Sequence, residues 1–315
     1  MINLFLDSGA FSAKSKGVEI DIGEYIKFIK ENKKYITVYA NLDVIGDAEA
    51  GWKNQKIMED AGLSPLPVYH IEDDISYLYR CLEYPYFCLG GMATGYTTAQ
   101  RRSFLDMCFE IICNTIDGMP KCKIHGFGMT SLELLLRYPW YSVDSTSWVL
   151  TGRFGSVFVP RKVNGSYVYD ESSWKVTVSN QSPDQIEEGK HFNTFAPMEQ
   201  NMILQYLKEK GFKIGKSEYK EENRKTYKLQ DGERWVNSAD APAVREMIEE
   251  FHIYAPNKLL AMRDMVEIVI EPGLSNDYKQ RDELNIIYFM DLERSLPSWP
   301  WAWKRTSLSG FGFRP

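Results

Sequence analysis

No stretch of this 315-residue chain approaches the roughly 18 uninterrupted apolar residues that cross a bilayer, so no membrane partner is expected. The first residues read as a strand and not as a basic-then-apolar leader, which makes a cytoplasmic location the expectation. Cysteine is scarce. Cys81, Cys88, Cys108, Cys113 and Cys122 all lie in the first half, and none forms the close pairs of a structural zinc site, so they read as reduced core residues. Histidine is scarcer still, with four residues and no His-x-His or His-Glu-x-x-His pair. The net charge of -6 excludes a surface coated in positive charge, though not a local basic groove. Repeats and low-complexity tracts are absent, and 44% hydrophobic residues are enough to bury a barrel-sized core.

What is present is alternation. Apolar, β-branched or aromatic runs recur at 2–6, 35–42, 66–71, 86–89, 122–124 and 140–143, with helix-period segments between them. Over 21–34, Ile22, Tyr25, Ile26 and Ile29 share one face while Lys27, Lys30 and Glu31 occupy the other. The segments 74–83 and 98–116 behave alike. Strands alternating with helices imply parallel pairing through crossovers, in a β/α barrel or a doubly wound sheet. Asp7, Asp43, His70, Gly90-Gly91, His125 and Asp144 each follow an apolar run directly. A barrel brings such ends to one rim, which favours a (β/α)8 TIM-type barrel, trimmed or incompletely closed.

After residue 150 the texture changes. Strands are expected at 157–159, 167–169 and 174–178, with a hairpin turn at Asn164-Gly165. A helix is expected over 197–210, then a lysine-rich stretch to 231 and helical patterns at 240–253 and 256–267. The expected division is a barrel over 1–200 and, over 201–315, a helical and lysine-rich appendage with α+β character that completes or covers it.

The strand-end residues carry the chemistry. Two carboxylates that meet in one pocket can divide labour, one attacking an electron-poor carbon while the other moves a proton. Asp7 and Asp144 suit those roles; capping a turn is as good a reading of Asp7 taken alone, and the lesser alternative for Asp144. Asp43 is a third carboxylate, fit to accept from the adjacent N–H and amine groups of guanine. Phe11 can stack on such a ring or cover a core. Leu89-Gly90-Gly91-Met92-Ala93-Thr94-Gly95 lacks the Walker lysine and the dinucleotide spacing, but its glycines permit a ligand's close approach to backbone. His70 and His125 leave a metal-dependent hydrolase open as an alternative.

Taken in order, Asp7-Ser8-Gly9-Ala10-Phe11, Asp43, the glycine run, His125-Gly126-Phe127-Gly128 and Val143-Asp144-Ser145 resemble the tRNA-guanine transglycosylase superfamily, including its DpdA-type branch that modifies DNA in phages and bacteria. The resemblance covers about residues 1–160. It implies a (β/α)8-type barrel in which Asp144 is the nucleophile at the sugar C1′ and Asp7 the general acid/base. Asp43, Gly90 and Gly91 then read the purine, Phe11 stacks on it, and His70 and His125 line the base pocket. Relatives acting on tRNA typically carry a cysteine-rich zinc motif after the nucleophile strand, whereas no cysteine follows Cys122 here. The chain also begins at what is usually a later barrel strand. Both departures favour a shortened member that exchanges guanine in DNA for a 7-deazaguanine such as preQ0, without metal or other cofactor.

The implied partners are DNA, with tRNA as the alternative, and the free 7-deazaguanine base. A helper protein or a second copy of the chain stays open, and the location becomes the host cytoplasm if the gene is a phage's. A non-catalytic nucleic-acid-binding relative is a further alternative. Lys208, Lys210, Lys213, Lys216, Arg224 and Lys225 are the candidate phosphate contacts, in a segment that also suits an ordinary solvated surface. The tail Trp299-Pro300-Trp301-Ala302-Trp303-Lys304-Arg305 mixes aromatics with cations as stacking platforms do, but burial of its rings is the more ordinary use and the one expected.

Overall fold

The computed structural model describes residues 4–92, 95–129, 131–170, 172–179, 189–235 and 265–305. They form a mixed α/β protein with two compact units, Met1–Ser145 with Pro297–Pro315, and Thr146–Leu296. This division falls well before residue 200, because the residues that follow 145 share a core with the helices and strands beyond 200. Among the described residues no helix is long and apolar enough to cross a membrane.

The first unit is built from the alternation in the sequence. Strand β1 (Leu4–Leu6) pairs in parallel with β2 (Ile36–Tyr39). The strands β3 (Val68–His70), β4 (Tyr86–Gly90), β5 (Lys123–Gly126) and β6 (Ser142–Val143) form a second parallel sheet in chain order. An isolated parallel bridge, Ala40 to Leu66, joins the two sheets. Helices fill the crossovers: α1 (Ala10–Lys16), α2 (Ile22–Asn32), α3 (Ala48–Asp60), α4 (Ile75–Cys81), α5 (Thr98–Ile112) and α6 (Leu132–Arg137). Their starts follow the sequence. Asp21, Asp47 and Asp74 each accept a backbone N–H from the first turn that follows, and Thr97 with Gln100 forms a capping box.

Successive strand residues face opposite ways, and the two faces have different neighbours. Tyr69, Phe87, Leu89 and Ile124 face outward into the larger core with Leu78, Leu105 and Phe109. Phe5, Val68, Cys88 and Phe127 face inward with Ala40 and Leu66. On that inner face the Phe5 ring of β1 stacks on the His125 ring of β5, with centroids 4.1 Å apart. Four strand spacings separate β1 from β5, about 19 Å in a flat sheet. The strands therefore curve strongly, and their carboxyl ends face one another. No strand pairing closes β6 onto β1 among the described residues.

The tail returns to this unit and docks as expected. Trp303 is buried beside Phe109 and Tyr138, Trp299 Nε1 donates to the Pro139 carbonyl at 3.1 Å, and Arg305 reaches Glu110 at 2.9 Å. All five cysteines are buried and free.

The second unit contains α7 (Ser147–Arg153), the antiparallel pair β7 (Ser156–Val159) and β10 (Trp174–Thr177), and the hairpin β8 (Arg161–Val163) with β9 (Ser166–Val168). The hairpin turns where expected, with positive φ at both Asn164 and Gly165. Helix α8 (Pro197–Glu209) also lies where the sequence puts it. The lysine-rich stretch, for which the sequence gives no element, contains β11 (Lys216–Glu221), which pairs with β13 (Met265–Glu271), as does β12 (Glu233–Trp235). The helical pattern at 256–267 thus ends in a strand, where alternating Val266, Ile268 and Ile270 fit a pleat; the rest of it, and that at 240–253, lie outside the described residues. Helix α9 (Tyr278–Ser295) completes the unit, with Arg281 and Asn285 buried along it.

Candidate active site

Asp7, Asp43, His70, Gly90, Gly91, His125 and Asp144 lie at the carboxyl ends of the curved strands. Asp7 ends β1, where Gly9 at φ 76° turns the chain into α1. Ser8, buried beside it, donates from Oγ to Asp43 Oδ1 at 2.8 Å and accepts the Ala10 N–H at 3.1 Å. Asp43 follows β2, and its other oxygen lies 2.9 Å from His70 Nε2. The second ring nitrogen, Nδ1, lies 3.3 Å from Asp73 Oδ2, which also accepts the His70 backbone N–H at 2.9 Å. Both ring nitrogens thus face carboxylates.

Burial alone lowers the proton affinity of His70, but the hydrogen bonds and charges of Asp43 and Asp73 outweigh it and bring the pKa to about 9. The imidazolium therefore contributes stability in full below its unfolded value of about 6.5, and this is lost as pH rises through about 9. We expect the folding free energy to drop by up to about 3 kcal/mol across that window. The His70→Asn variant flattens the slope in urea titrations, and an unchanged slope in that variant excludes the imidazolium.

The carboxylates sense one another. Asp7 keeps an exposed face, yet burial of the rest, then the charges of Asp43 and Asp144, raise it above the ordinary carboxylate range. Its bonds from the Ser8 and Gly9 N–H groups, the turn role that the sequence allows, oppose this. On β4 between them, burial pushes the Cys88 thiol up, helped by Asp43, Cys81, Asp7 and Asp144. Cys88 stays a neutral thiol.

Asp144 follows β6 and differs from Asp43 in exposure, 51% of its side chain against 11%. Its Oδ1 accepts the Gly128 N–H at 2.7 Å and lies 3.7 Å from His125 Nε2. Its backbone is fixed too, N–H to the Gly126 carbonyl and C=O from the Met129 N–H. His125 is buried, and its Nδ1 lies 2.7 Å from Ser142 Oγ.

The glycines serve packing at this site. A Cβ on Gly90 would stand 3.1 Å from the His70 ring and 3.2 Å from Val68, so glycine here makes room for the histidine. Gly91 has φ 79° and lies equally close to His70 and Ile71. Ala93 and Thr94 lie outside the described residues. Phe11 lies on α1, 48% exposed, and contacts no ring among the described residues; the ring that stacks inside the site is Phe5, on His125.

Four residues escaped the sequence reading. Asp73 lies three positions after His70, Ser8 follows Asp7, and Ser142 lies two before Asp144 and so faces the same way on β6. Tyr86 opens β4, and its hydroxyl is 2.6 Å from Ser142 Oγ. Period-two spacing back from Asp144 was the available signal for Ser142. Among the described residues no group of three or more His, Cys, Asp or Glu side chains is arranged to hold a metal ion.

The candidate phosphate contacts lie in the second unit. Lys210 pairs with Asp291 and Lys213 with Glu271, each at 2.5 Å, and Arg224 lies over the Trp235 ring. Lys208, Lys216 and Lys225 are exposed.

A scan against protein-family models and searches of the curated proteins and the solved structures found no match to this chain.

Proposed function

We propose that the chain is a base-exchange glycosyltransferase that replaces guanine in DNA with a 7-deazaguanine such as preQ0. One observation carries the reading: two strand-end carboxylates stand near enough that the Asp144 charge helps to raise the proton affinity of Asp7, while Oδ1 of the half-exposed Asp144 is held by the Gly128 N–H. An acid that holds its proton beside a positioned carboxylate is the division of labour that displacement at a glycosidic carbon needs. The curved run of parallel strands in chain order, with this chemistry at their carboxyl ends, fits the (β/α)8 barrel that the resemblance implies.

In the first step an Asp144 oxygen forms a bond to C1′ as the bond from C1′ to guanine N9 breaks. The electron pair leaves with guanine, which takes the Asp7 proton. In the second step Asp7, now a carboxylate, removes the N9 proton of the incoming base, whose nitrogen attacks C1′ and releases Asp144. Two displacements retain configuration. Asp43 is held by Ser8 and His70, and its carboxylate has acceptor capacity left for a purine edge. Phe11, exposed in the first turn of α1 and four positions after Asp7 in the chain, offers the stacking face. In duplex DNA the guanine must first leave the stack, at a cost of a few kcal/mol. Lys208, Lys216 and Lys225 are exposed cations of a kind that suits phosphate.

Parallel incubations of the full chain with labelled guanine or preQ0, and with DNA or tRNA, test the proposal. Label is expected in DNA. Label only in tRNA overturns the substrate, and label in neither overturns the reaction.

A further inference from the structure

The nitrogen of His125 that faces the site has no hydrogen-bond partner, although the residue is 3% exposed. That atom, Nε2, lies 3.7 Å from Asp144 Oδ1. The opposite nitrogen begins a chain, from Nδ1 to Ser142 Oγ at 2.7 Å and from there to the Tyr86 hydroxyl at 2.6 Å. We infer that Tyr86 and Ser142 are positioning residues that fix His125 with its Nε2–H toward Oδ1 of Asp144, leaving Oδ2 as the oxygen that attacks. The attack itself rests on the transfer reaction proposed above; the tautomer does not.

Proton counting sets the direction of the chain. Tyr86 and Ser142 have one hydroxyl proton each, and a neutral imidazole has one N–H. If Nδ1 carried that proton and donated to Ser142, the bare Nε2 would face a carboxylate oxygen in a buried position, acceptor against acceptor. In the other direction Tyr86 donates to Ser142, Ser142 donates to Nδ1, and Nε2–H is directed at Asp144. Every proton then has an acceptor, the last across a gap that catalytic hydrogen bonds of unliganded enzymes commonly show and close on binding.

The plane of the ring is fixed by its neighbours. Phe5 stacks on its face with an interplanar angle of 19°, and Phe127 meets it edge-on at 4.7 Å. Oδ1 of Asp144 therefore faces two donors, the Gly128 N–H at 2.7 Å and His125. Oδ2 meets no donor among the described residues, and the side chain is half exposed. Donors on one oxygen set the carboxylate plane and leave the lone pairs of the other for an incoming carbon.

The experiment has two readouts on the full chain. Long-range nitrogen–proton NMR of imidazole-labelled protein, with His125 identified by loss of its signals in His125→Gln, reads the tautomer at a pH where the ring is neutral. Nε2–H is expected in the wild type, and Nδ1–H overturns the chain. In the exchange assay, Ser142→Ala lowers kcat by about ten- to a hundredfold with KM unchanged, Tyr86→Phe has a smaller effect of the same kind, and Ser142→Thr restores activity. A full kcat in Ser142→Ala, or a change in KM alone, overturns the positioning role. Should the wild type show no exchange, the transfer reading falls by itself, and the tautomer measurement still decides the hydrogen-bond chain.

Discussion

Asp144→Ala is expected to lower base exchange at least about 10⁴-fold, equivalent to about 5 kcal/mol of transition-state stabilisation. On the proposed mechanism it removes the atom that forms the covalent bond, so the protein–DNA adduct expected of the wild type on denaturing gels should vanish. The fold should survive, because half of the side chain is exposed and among the described residues it accepts a single hydrogen bond, from Gly128. Loss of that bond costs about 1 kcal/mol. An adduct that persists in Asp144→Ala rules out this residue as the nucleophile.

Asp7→Asn is expected to slow adduct formation by about 10²- to 10⁴-fold, the range for a positioned general acid. The loss should shrink on DNA containing N7-methylguanine, whose base departs neutral without taking a proton. The pH dependence follows the same logic. Burial, then the Asp43 and Asp144 charges, raise Asp7 above the ordinary carboxylate range, so the acid form persists to higher pH than in a free carboxylic acid and is lost as pH climbs further. The wild-type rate should fall there, and Asp43→Asn should move the fall to lower pH by removing one of the charges. A rate in wild type that stays flat far into alkaline solution counts against Asp7 as the acid.

The site was legible in the sequence wherever a polar residue directly ends an apolar run. Asp7, Asp43, His70, His125 and Asp144 met that condition, and the parallel strands bring their ends together. What stayed hidden was which of them are partners. That His70 bridges Asp43 and Asp73 depends on Gly90 leaving space beside the ring, a contact between β3 and β4 that no linear spacing displays. Tyr86 and Ser142 meet across 56 positions, and each taken singly reads as an ordinary strand residue. Phe11 attracted notice through its place next to Asp7, whereas Phe5, two residues before Asp7 and inside the strand, holds the histidine.

Helix α9 was hidden for a different reason. Its buried side includes Arg281 and Asn285, which donate to backbone carbonyls of Gly152, Leu274 and Trp148. A helix that buries a guanidinium on carbonyl groups does not present an apolar stripe, so the usual periodic signal is diluted. The strand β13 behaves alike. In it Glu267 is fully buried against Arg234 while Ile270 is half exposed, so the apolar pattern of the segment does not mark a buried face.

The stacking of Phe5 on His125 has a consequence for the order of assembly. The two rings belong to residues some 120 positions apart, and the intervening strands must all be in register before the rings can meet. Contacts of that span delay folding, since the chain loses the entropy of a long loop before any contact rewards it. During synthesis β1 leaves the ribosome first but gains its aromatic partner only after β5 has followed. The histidine behind Asp144 is thus clamped late, when the earliest and latest parts of the site close on each other.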